Sequence, residues 1–417
     1  MTKTARRTFH SLRYRNYRLF FGGQAVSQTG SWMQRIALAW FILQLTHSPF
    51  DVGVMAFAQF LPYMVFGLFA GVLADRLDAR RTVIGTQIAQ LVSASALAWI
   101  ALGGFAQPWM LYTIAFINGT VLVLDVPSRQ QLTYRMVGRE DLPNAIALNS
   151  TLFNASRIFG PAVAGALLVA GVGVCFLVNA ISFLAVLIGL LAMRVSEFFP
   201  LEEFERPKIL AGTREGLRWI RGQRRMVVIL ALVFVISTFC FNFNVTLPVL
   251  AKVTLDAHGY VYGLLFAAFG AGALVGALGA AALGRASAKA LLVGGALFAA
   301  AELLLAPVHD SAVLAGALLF LAGAGFTAWS ANSNAIMQLA APDRLRGRVI
   351  GLYFYAFNGT GAIAGLMTGW LCDVGGTELA FAVSGIIGLV AVGATALALG
   401  WTPRLVTRRR AEQPQTA

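Results

Sequence analysis

Charged residues are scarce in this chain. Asp, Glu, Lys and Arg together make up 12% of its 417 residues, whereas about a quarter is typical of soluble globular domains. Hydrophobic residues make up 58%, and the mean hydropathy is +0.73. A soluble fold is therefore excluded for most of the chain, and an integral membrane protein is indicated.

Residue types that often perform catalysis or bind metals are also few. The three cysteines, Cys175, Cys240 and Cys372, form no CxxC pair and are too few for a disulfide scaffold. The four histidines fall in the N-terminal tail or in predicted outer loops. The sequence also lacks the GxxxxGKS/T loop of an ATP-driven pump. We therefore expect no enzyme, no cofactor and no resident metal ion.

Long apolar segments are what the chain does contain. Each crossing of a bilayer takes about 20 apolar residues in a helix, and unbroken runs such as 227–235 do not fit the short alternating strands of a transmembrane barrel. We predict an all-α membrane protein with twelve transmembrane helices. These helices cover residues 18–46, 50–74, 82–104, 109–131, 145–170, 173–193, 226–250, 259–283, 289–307, 311–338, 346–371 and 378–400.

The distribution of Lys and Arg predicts the orientation of these helices. Lys and Arg are retained on the cytoplasmic side of a bilayer. With both termini cytoplasmic, all but three of the 32 Lys and Arg fall on inner segments. The exceptions are Lys252 in an outer loop and Arg35 and Arg157 inside predicted helices. The net charge of +14 therefore indicates topology and contact with anionic lipid, and nucleic acid is not expected as a partner.

A basic linker divides the predicted helices into two halves. Its residues Leu210, Leu217 and Ile220 share one helical face, which suits either an interfacial helix on an anionic leaflet or a solvated basic linker. Weak similarity between residues 71–81 and 281–289 supports a duplication, and duplicated halves are a transporter architecture. The predicted regions are a tail 1–17, a six-helix half 18–193, a linker 194–225, a six-helix half 226–400 and a tail 401–417.

Several motifs resemble a known family. The run GVLADRLDARR at 71–81 resembles the loop 2–3 signature of the major facilitator superfamily, GxLxDRxGRR, from which Asp78 and Ala79 depart. The run IFGPAVAG at 158–165 is similar to the motif of antiporter members. Three further segments resemble the proton-driven drug and siderophore exporter branch, which includes the enterobactin exporter and macrolide efflux proteins. They are residues 19–46, 124–131 and 142–150.

This resemblance implies a secondary transporter with two six-helix halves that works by alternating access. It implies a proton-coupled antiporter that exports amphiphilic small molecules such as drugs or siderophores. The implied setting is the bacterial cytoplasmic (inner) membrane, with a monomer that interacts with substrate, protons and membrane lipids. A proton-coupled uptake carrier is the alternative among transporters, and a lipid flippase or scramblase is the alternative outside them.

The loop signature implies a gate at the cytoplasmic ends of the helices. Asp75 ends the second predicted helix, where it can face Arg129 and the helix N-terminus near Gly347, whose partial positive charge attracts a carboxylate. Topological anchoring by a positive loop is the alternative. The predicted gate residues are Gly71, Asp75, Arg76, Arg80, Arg81 and Arg129, and the antiporter-like motif contributes Gly160, Pro161 and Gly165.

Polar residues inside the predicted helices are candidates for a substrate cavity, because polar groups in a bilayer usually face a cavity or each other. The first helix carries Gln24, Gln28, Ser31 and Arg35 at spacings of four, three and four. Hydrogen bonding between packed helices is the alternative role. The full set is Gln24, Gln28, Ser31, Arg35, Gln59, Tyr63, Asn118, Asn154, Asn242, Asn244, Asn334, Gln338 and Asn358.

Proton coupling requires a group that changes its charge, and the predicted membrane segments hold few acids. Asp125 lies near the inner end of the fourth helix, and Glu302 lies deep in the ninth. We predict Asp125 as the coupling acid, with Arg157 on the neighbouring helix as its partner. Glu302 is the second candidate, and it ranks below Asp125 because the ninth helix of the resembled family usually serves as scaffold.

Overall fold

A computed structural model describes residues 9–200, 209–282, 286–342 and 345–400 of the chain. The side chains at positions 71, 72, 74, 75 and 209–212 lie outside this description. Within the described residues every regular element is a helix, as expected of long apolar segments that have to satisfy their own backbone hydrogen bonds in lipid. The prediction of an all-α protein is therefore confirmed.

Thirteen helices of seven or more residues make up the described fold. They are α1 (Arg15–Thr46), α2 (Pro49–Asp75), α3 (Ala79–Gly103), α4 (Pro108–Leu168), α5 (Val172–Leu191), α6 (Ile209–Arg221), α7 (Arg224–Phe239), α8 (Phe243–Val249), α9 (Gly259–Ala282), α10 (Ala288–Leu305), α11 (Ala312–Ala340), α12 (Arg346–Asn358) and α13 (Gly361–Ala398). A single π-helical turn, Leu250–Thr254, follows α8.

Nine stretches of the described residues are long and apolar enough to cross a membrane. α1 is not among them, because its polar residues lower its hydropathy. The longest stretch is α4, with 61 residues. Since a helix rises about 1.5 Å per residue, α4 is far longer than one crossing of a bilayer.

Glycines interrupt the two longest helices. The predicted helices 109–131 and 145–170 are joined in α4, where only Gly138 departs from helical geometry, with φ 72°. Glycine tolerates this left-handed conformation because it has no Cβ. In α13, Gly375 and Gly376 also depart from helical geometry, and Gly376 has a positive φ of 65°. The predicted loop at 132–144 is therefore wrong, because the chain turns within one or two residues there.

The predicted crossing 226–250 lies within one apolar stretch, Arg224–Thr254, but its helix is broken between α7 and α8. Residues 240–242 lie outside both helices. Ser384 of α13 compensates for the break: its hydroxyl donates to the Phe239 carbonyl at 2.7 Å, and its own carbonyl accepts from the Cys240 thiol at 3.2 Å. Broken helices persist in membranes where neighbouring groups satisfy the freed backbone. The break places Phe241 outside helical geometry.

α6 is the amphipathic helix of the linker, and part of its apolar face packs on protein. It lies against α7 and α12, with Ile220 and Gly216 buried. Arg348 of α12 pairs with Glu215. A fully solvated linker is therefore wrong for residues 213–221, because the bundle itself supplies a surface for Ile220. The position of Leu210 lies outside the described side chains.

The helices pack as two groups. α1 to α5, which we call the N-terminal group, pack mainly on one another, and so do α7 to α13, the C-terminal group. The most extensive packing between the groups is that of α2 against α13 and of α4 against α9, and smaller contacts join α12 to α2 and α8 to α1 and α2. Two ends of the bundle can be defined from α1. It begins at the basic end, close to Arg80 and Arg194, and it ends at the far end.

Glycines bring the two groups into backbone contact at the far end. A Cβ at Gly263 of α9 would stand 2.6 Å from the Gly165 Cα of α4, and a Cβ at Gly53 of α2 would stand 2.6 Å from the Gly365 carbonyl oxygen of α13. Small residues allow helices to approach this closely. Gly279, near the other end of α9, has no atom within 4 Å of an added Cβ. The close approaches thus lie at the far end.

The contact between Gly263 and Gly165 can be tested by adding one methyl group. We expect Gly263→Ala to lower stability by about 1–3 kcal/mol, since the new Cβ meets backbone atoms that cannot rotate away. Gly279→Ala is the matched control on the same helix, and it is expected to keep or raise stability because alanine favours helix. Thermal unfolding of the purified proteins in detergent measures both. Equal destabilisation by the two variants would contradict the close approach.

Candidate functional site

A buried ion pair joins three helices of the N-terminal group. Asp125 of α4 is 1% exposed, and its Oδ2 lies 2.6 Å from Arg129 Nε. Its Oδ1 accepts hydrogen bonds from Thr86 Oγ1 at 2.5 Å and Gln87 Nε2 at 3.1 Å, both on α3. Arg129 also donates to Gln24 of α1. We call these five residues the Asp125 cluster.

The structure corrects the predicted partner of Asp125. Arg157 does not pair with it, because Arg129 stands four residues along the same helix, and this spacing places the two side chains on one face. The predicted contact of Arg129 with Asp75 is not tested, because the Asp75 side chain lies outside the description. The Asp-x-x-x-Arg spacing within residues 124–131 was the sequence signal for this pair.

The Asp125 cluster links three helices through one ion pair. Removing one charge from a buried pair is costly, because the other charge is left without a partner in a medium of low dielectric constant. Gln24, Thr86 and Asp125 lie on α1, α3 and α4, so the pair and its hydrogen bonds hold these three helices together.

Glu302, the second candidate acid, lies apart from this cluster on α10. It is 1% exposed and lies beside the Cys240 thiol. Its Oε2 has no hydrogen-bond partner, and no ion pair to it occurs within the described residues. Burying an unpaired carboxylate is expensive. Unlike Asp125, Glu302 has no charged partner within the described residues.

Arg157 lies in a cage of aromatic rings between the two groups. Its Cζ is 6.0 Å from the ring centre of Trp32, and three rings of the C-terminal group lie closer. These are Phe269 at 5.0 Å, Phe326 at 5.4 Å and Phe241 at 5.8 Å. We call the four rings the aromatic cage. Phe241 and Phe326 stack on each other with ring centres 4.2 Å apart.

Arg35 lies next to the aromatic cage. Its Cζ is 4.5 Å from the ring centre of Trp32, the ring that Arg157 also contacts. Arg35 was predicted to line the cavity and Arg157 to pair with an acid. The structure brings these two residues together, which their separation of 122 positions in the sequence did not indicate.

The remaining polar candidates divide into two sets. Several donate a hydrogen bond to a residue three or four positions earlier in the chain, a common arrangement for polar side chains in or next to helices. These are Ser31, Asn154, Asn242, Gln338 and Asn358, with Asn334 accepting from Gln338. The others are partly exposed and form no side-chain hydrogen bond within the described residues. These are Gln28, Gln59, Tyr63, Asn118 and Asn244. The polar groups of the second set therefore remain available for further hydrogen bonds.

Four of the predicted gate residues, Arg76, Arg80, Arg81 and Arg129, have described side chains. Arg80 donates from Nε and Nη2 to the Leu190 carbonyl, at 3.0 and 2.9 Å, and so caps the end of α5. Arg129 belongs to the Asp125 cluster. Arg76 and Arg81 are exposed. The side chain of Asp75 and position 71 lie outside the description, so their part of the prediction is not tested.

The antiporter-like motif packs α4 on two neighbours. A Cβ at Gly160 would meet Trp32 and Thr29 of α1. Gly165 and the carbonyl of Pro161 meet Gly263 of α9. The motif therefore holds α4 close to α1 and also forms the far-end contact between the two groups.

Comparison with known proteins identifies the family. Residues 6–406 match the family model described as transmembrane secretion effector, which spans nearly the whole chain. The chain belongs to this family of major facilitator transporters. It is therefore a multi-pass membrane transporter, as the motifs at 71–81 and 158–165 predicted.

Relatives of this transporter are distant in sequence but similar in length. It is 26% identical to the uncharacterised MFS-type transporter YfiS of Bacillus subtilis, over 89% of each chain. It is 24% identical to the staphyloferrin A transporter of Staphylococcus aureus, over 88% of this chain and 92% of that one. It is 23% identical to macrolide efflux protein A of Streptococcus pyogenes, over 69% and 72% of the two chains.

Solved structures support the fold. The crystal structure of the nucleoside transporter NupG superposes with a TM-score of 0.73 and 12% sequence identity, over 94% of this chain and 100% of that one. At this identity the likeness shows the fold alone. The major facilitator fold is therefore shared.

Asp78, which departs from the loop signature, has a structural role at the basic end. Its carboxylate accepts a hydrogen bond from the Arg81 backbone amide at 2.8 Å and so caps α3, and it lies 3.2 Å from Arg135 of α4. Partial burial opposes ionisation of Asp78, but the Arg81 amide and the Arg135 charge outweigh it, and the pKa of Asp78 is lowered. Asp is a favoured N-cap residue, so the sequence did carry this signal.

Two substitutions separate the cap of Asp78 from its charge. We expect Asp78→Ala to lower stability by about 1 kcal/mol through loss of the cap, whereas Asp78→Asn keeps a cap and loses only the pair with Arg135. Because folding lowers the pKa of Asp78, its charge stabilises the protein above the unfolded pKa of about 4. The difference between wild type and Asp78→Asn should therefore vanish as the pH falls through the lowered pKa. Unfolding in detergent across this pH range measures it, and a difference that grows in acid would contradict the pairing.

Proposed function

We propose that this transporter is a proton-coupled antiporter that exports amphiphilic small molecules. The observation that carries the proposal is the buried Asp125–Arg129 pair, an ionisable site inside a membrane helix, where such groups are costly and usually functional. Relatives named as a macrolide efflux protein and a staphyloferrin A transporter support export of such molecules. Asp125 is the proposed coupling acid, and Glu302 is not.

The proposed topology has twelve crossings, with both termini on the cytoplasmic side. Dividing α4 at Gly138 and the stretch from Arg346 to Ala398 at Gly376 turns the nine apolar stretches into eleven, and α1 supplies the twelfth. The two groups of helices correspond to the proposed six-helix halves. We propose the bacterial cytoplasmic (inner) membrane as the location and a monomer as the working form.

Alternating access would use the packing of α2 against α13 and of α4 against α9, where the two groups meet. The backbone contacts between Gly263 and Gly165 and between Gly53 and Gly365 close the far end, so opening toward that side has to separate them. Glycine pairs suit helix contacts that open and close, because they carry no side chains that would have to repack. With cytoplasmic termini, the structure corresponds to the state that is closed to the outside.

A proton at Asp125 would bias this transition through the Asp125 cluster. Neutral Asp125 no longer holds the Arg129 guanidinium, and a buried unpaired guanidinium is unfavourable. Arg129 is 16% exposed at its side chain, so it has room to move toward water. Its movement would release Gln24 of α1 and loosen the link between α1, α3 and α4. Ligands or protons shift such equilibria only by their different affinities for the two states.

Proteoliposomes with an imposed pH gradient test the coupling. We expect Asp125→Asn, which keeps the size and removes the charge, to abolish gradient-driven transport of a drug. Glu302→Gln is the matched control and should retain gradient-driven transport. If Glu302→Gln abolishes transport and Asp125→Asn retains it, the coupling role belongs to Glu302. Equilibration of a fluorescent lipid without any gradient would instead indicate a scramblase and contradict the proposal.

Susceptibility of an efflux-deficient host tests the direction of transport. Overproduction of wild type is expected to raise the minimal inhibitory concentration of its substrates, and Asp125→Asn at equal expression should lower it to the vector level. An uptake carrier predicts the opposite, namely accumulation of the compound and greater sensitivity. Such sensitivity on overproduction would overturn the export assignment.

A further inference from the structure

Two arginines lie inside the bundle without an acidic partner. Arg35 and Arg157 both contact the Trp32 ring, so the two guanidinium groups are neighbours and repel each other. Neither forms an ion pair within the described residues. The three buried acids of the described helices are engaged elsewhere: Asp125 pairs with Arg129, Asp141 pairs with Arg13, and Glu302 lies beside Cys240. The pair therefore lacks a counterion.

The aromatic cage stabilises these charges only in part. Ring faces attract a guanidinium, yet rings accept none of the strong hydrogen bonds that its five N–H donors can make. Arg157 Nε is buried without any hydrogen-bond partner. A bound anion would supply the missing acceptors and the missing negative charge together.

The chemistry of the surroundings narrows the class of anion. The planar fork of an arginine matches the two oxygens of a carboxylate. Trp32, Phe241, Phe269 and Phe326 offer apolar faces next to that fork, which suit an apolar or aromatic body. Two adjacent positive charges disfavour a cationic ligand at the same place.

We propose that Arg35 and Arg157 bind the carboxylate of an amphiphilic organic anion, whose apolar body packs on the aromatic cage. This inference rests on the proposed transport function, for which it names the substrate class. It assigns Arg157 to substrate binding rather than to proton coupling.

The position of the cage connects binding with transport. Trp32 and Arg157 belong to the N-terminal group, whereas the three phenylalanines belong to the C-terminal group. A Cβ at Gly270 of α9 would lie 3.3 Å from the Arg157 carbonyl oxygen, so the two groups also approach closely beside the cage. An anion bound there would contact both groups, so its affinity would depend on how the two groups are arranged.

Binding of two matched probes to the purified transporter in detergent tests the proposal. The probes are 1-naphthaleneacetate and its neutral amide, 1-naphthaleneacetamide, which differ in charge but hardly in shape. We expect wild type to bind the carboxylate at least tenfold more tightly than the amide by titration calorimetry. Arg35→Gln and Arg157→Gln should each remove this preference while binding of the amide stays unchanged. Arg218→Gln, an exposed arginine of α6, is the matched control and should keep the preference.

Several outcomes would overturn the proposal. They are equal binding of both probes to wild type, equal loss of both probes in the Gln variants, and displacement of the carboxylate probe by the same concentration of inorganic sulfate. Thermal unfolding without ligand separates binding from folding: a binding role predicts that neither Gln variant is less stable than wild type, because each removes an unpaired buried charge. If Arg157→Gln does not fold, its destabilisation contradicts the proposal directly.

This experiment and the transport assays can fail separately. Binding in detergent needs neither a pH gradient nor movement of the substrate. Preference for the carboxylate without gradient-driven transport would overturn the proton-coupled export and leave the anion site standing. Transport of cations or neutral drugs with no preference for the carboxylate would overturn the anion site and leave the export standing.

Discussion

The high cost of an isolated charge in a medium of low dielectric constant constrains the whole interior of this transporter. Asp125 meets that cost with Arg129, one helical turn away, and with two polar side chains of α3, while Gln24 of α1 accepts a hydrogen bond from Arg129. Arg157 meets it with aromatic faces from both groups. The two arrangements differ in kind: the first pairs opposite charges, whereas the second leaves its positive charges without an acidic partner within the described residues. This difference underlies the two proposals, of proton coupling at the first and of anion binding at the second.

Backbone contacts decide where these sites can sit relative to each other. Glycines at the far end let α4 approach α9 and α2 approach α13 without intervening side chains, which brings the two groups close enough for Arg157 to reach Phe269 and Phe326. The break between α7 and α8, compensated by Ser384, frees Phe241 from helical geometry and places its ring in the same cage. Small residues and one broken helix thus assemble a site from parts that are remote in the sequence.

The fold was largely predictable because its causes are local. Apolar runs of helix length, the distribution of arginines and the motifs at 71–81 and 158–165 indicate a helical transporter of the major facilitator superfamily, and the family match confirms it. The candidate site was predicted less well. Asp125 was chosen correctly as a buried acid, but its partner was given as Arg157, although Arg129 has the i,i+4 spacing. Arg80 was assigned to a gate, yet it caps α5, because a carbonyl at the end of a neighbouring helix is invisible in a linear pattern.

The sequence by itself determined that the chain crosses a membrane, that it does so as helices, and that few charges remain inside, because hydropathy and the need to satisfy backbone hydrogen bonds act along the chain. Only the tertiary structure decided which of those charges are paired. Arg35 and Arg157 lie next to one ring because helices 122 residues apart in the chain are held together by glycine contacts. Pairing in space depends on the angle and depth at which helices pack, and neither is recorded in the order of the residues.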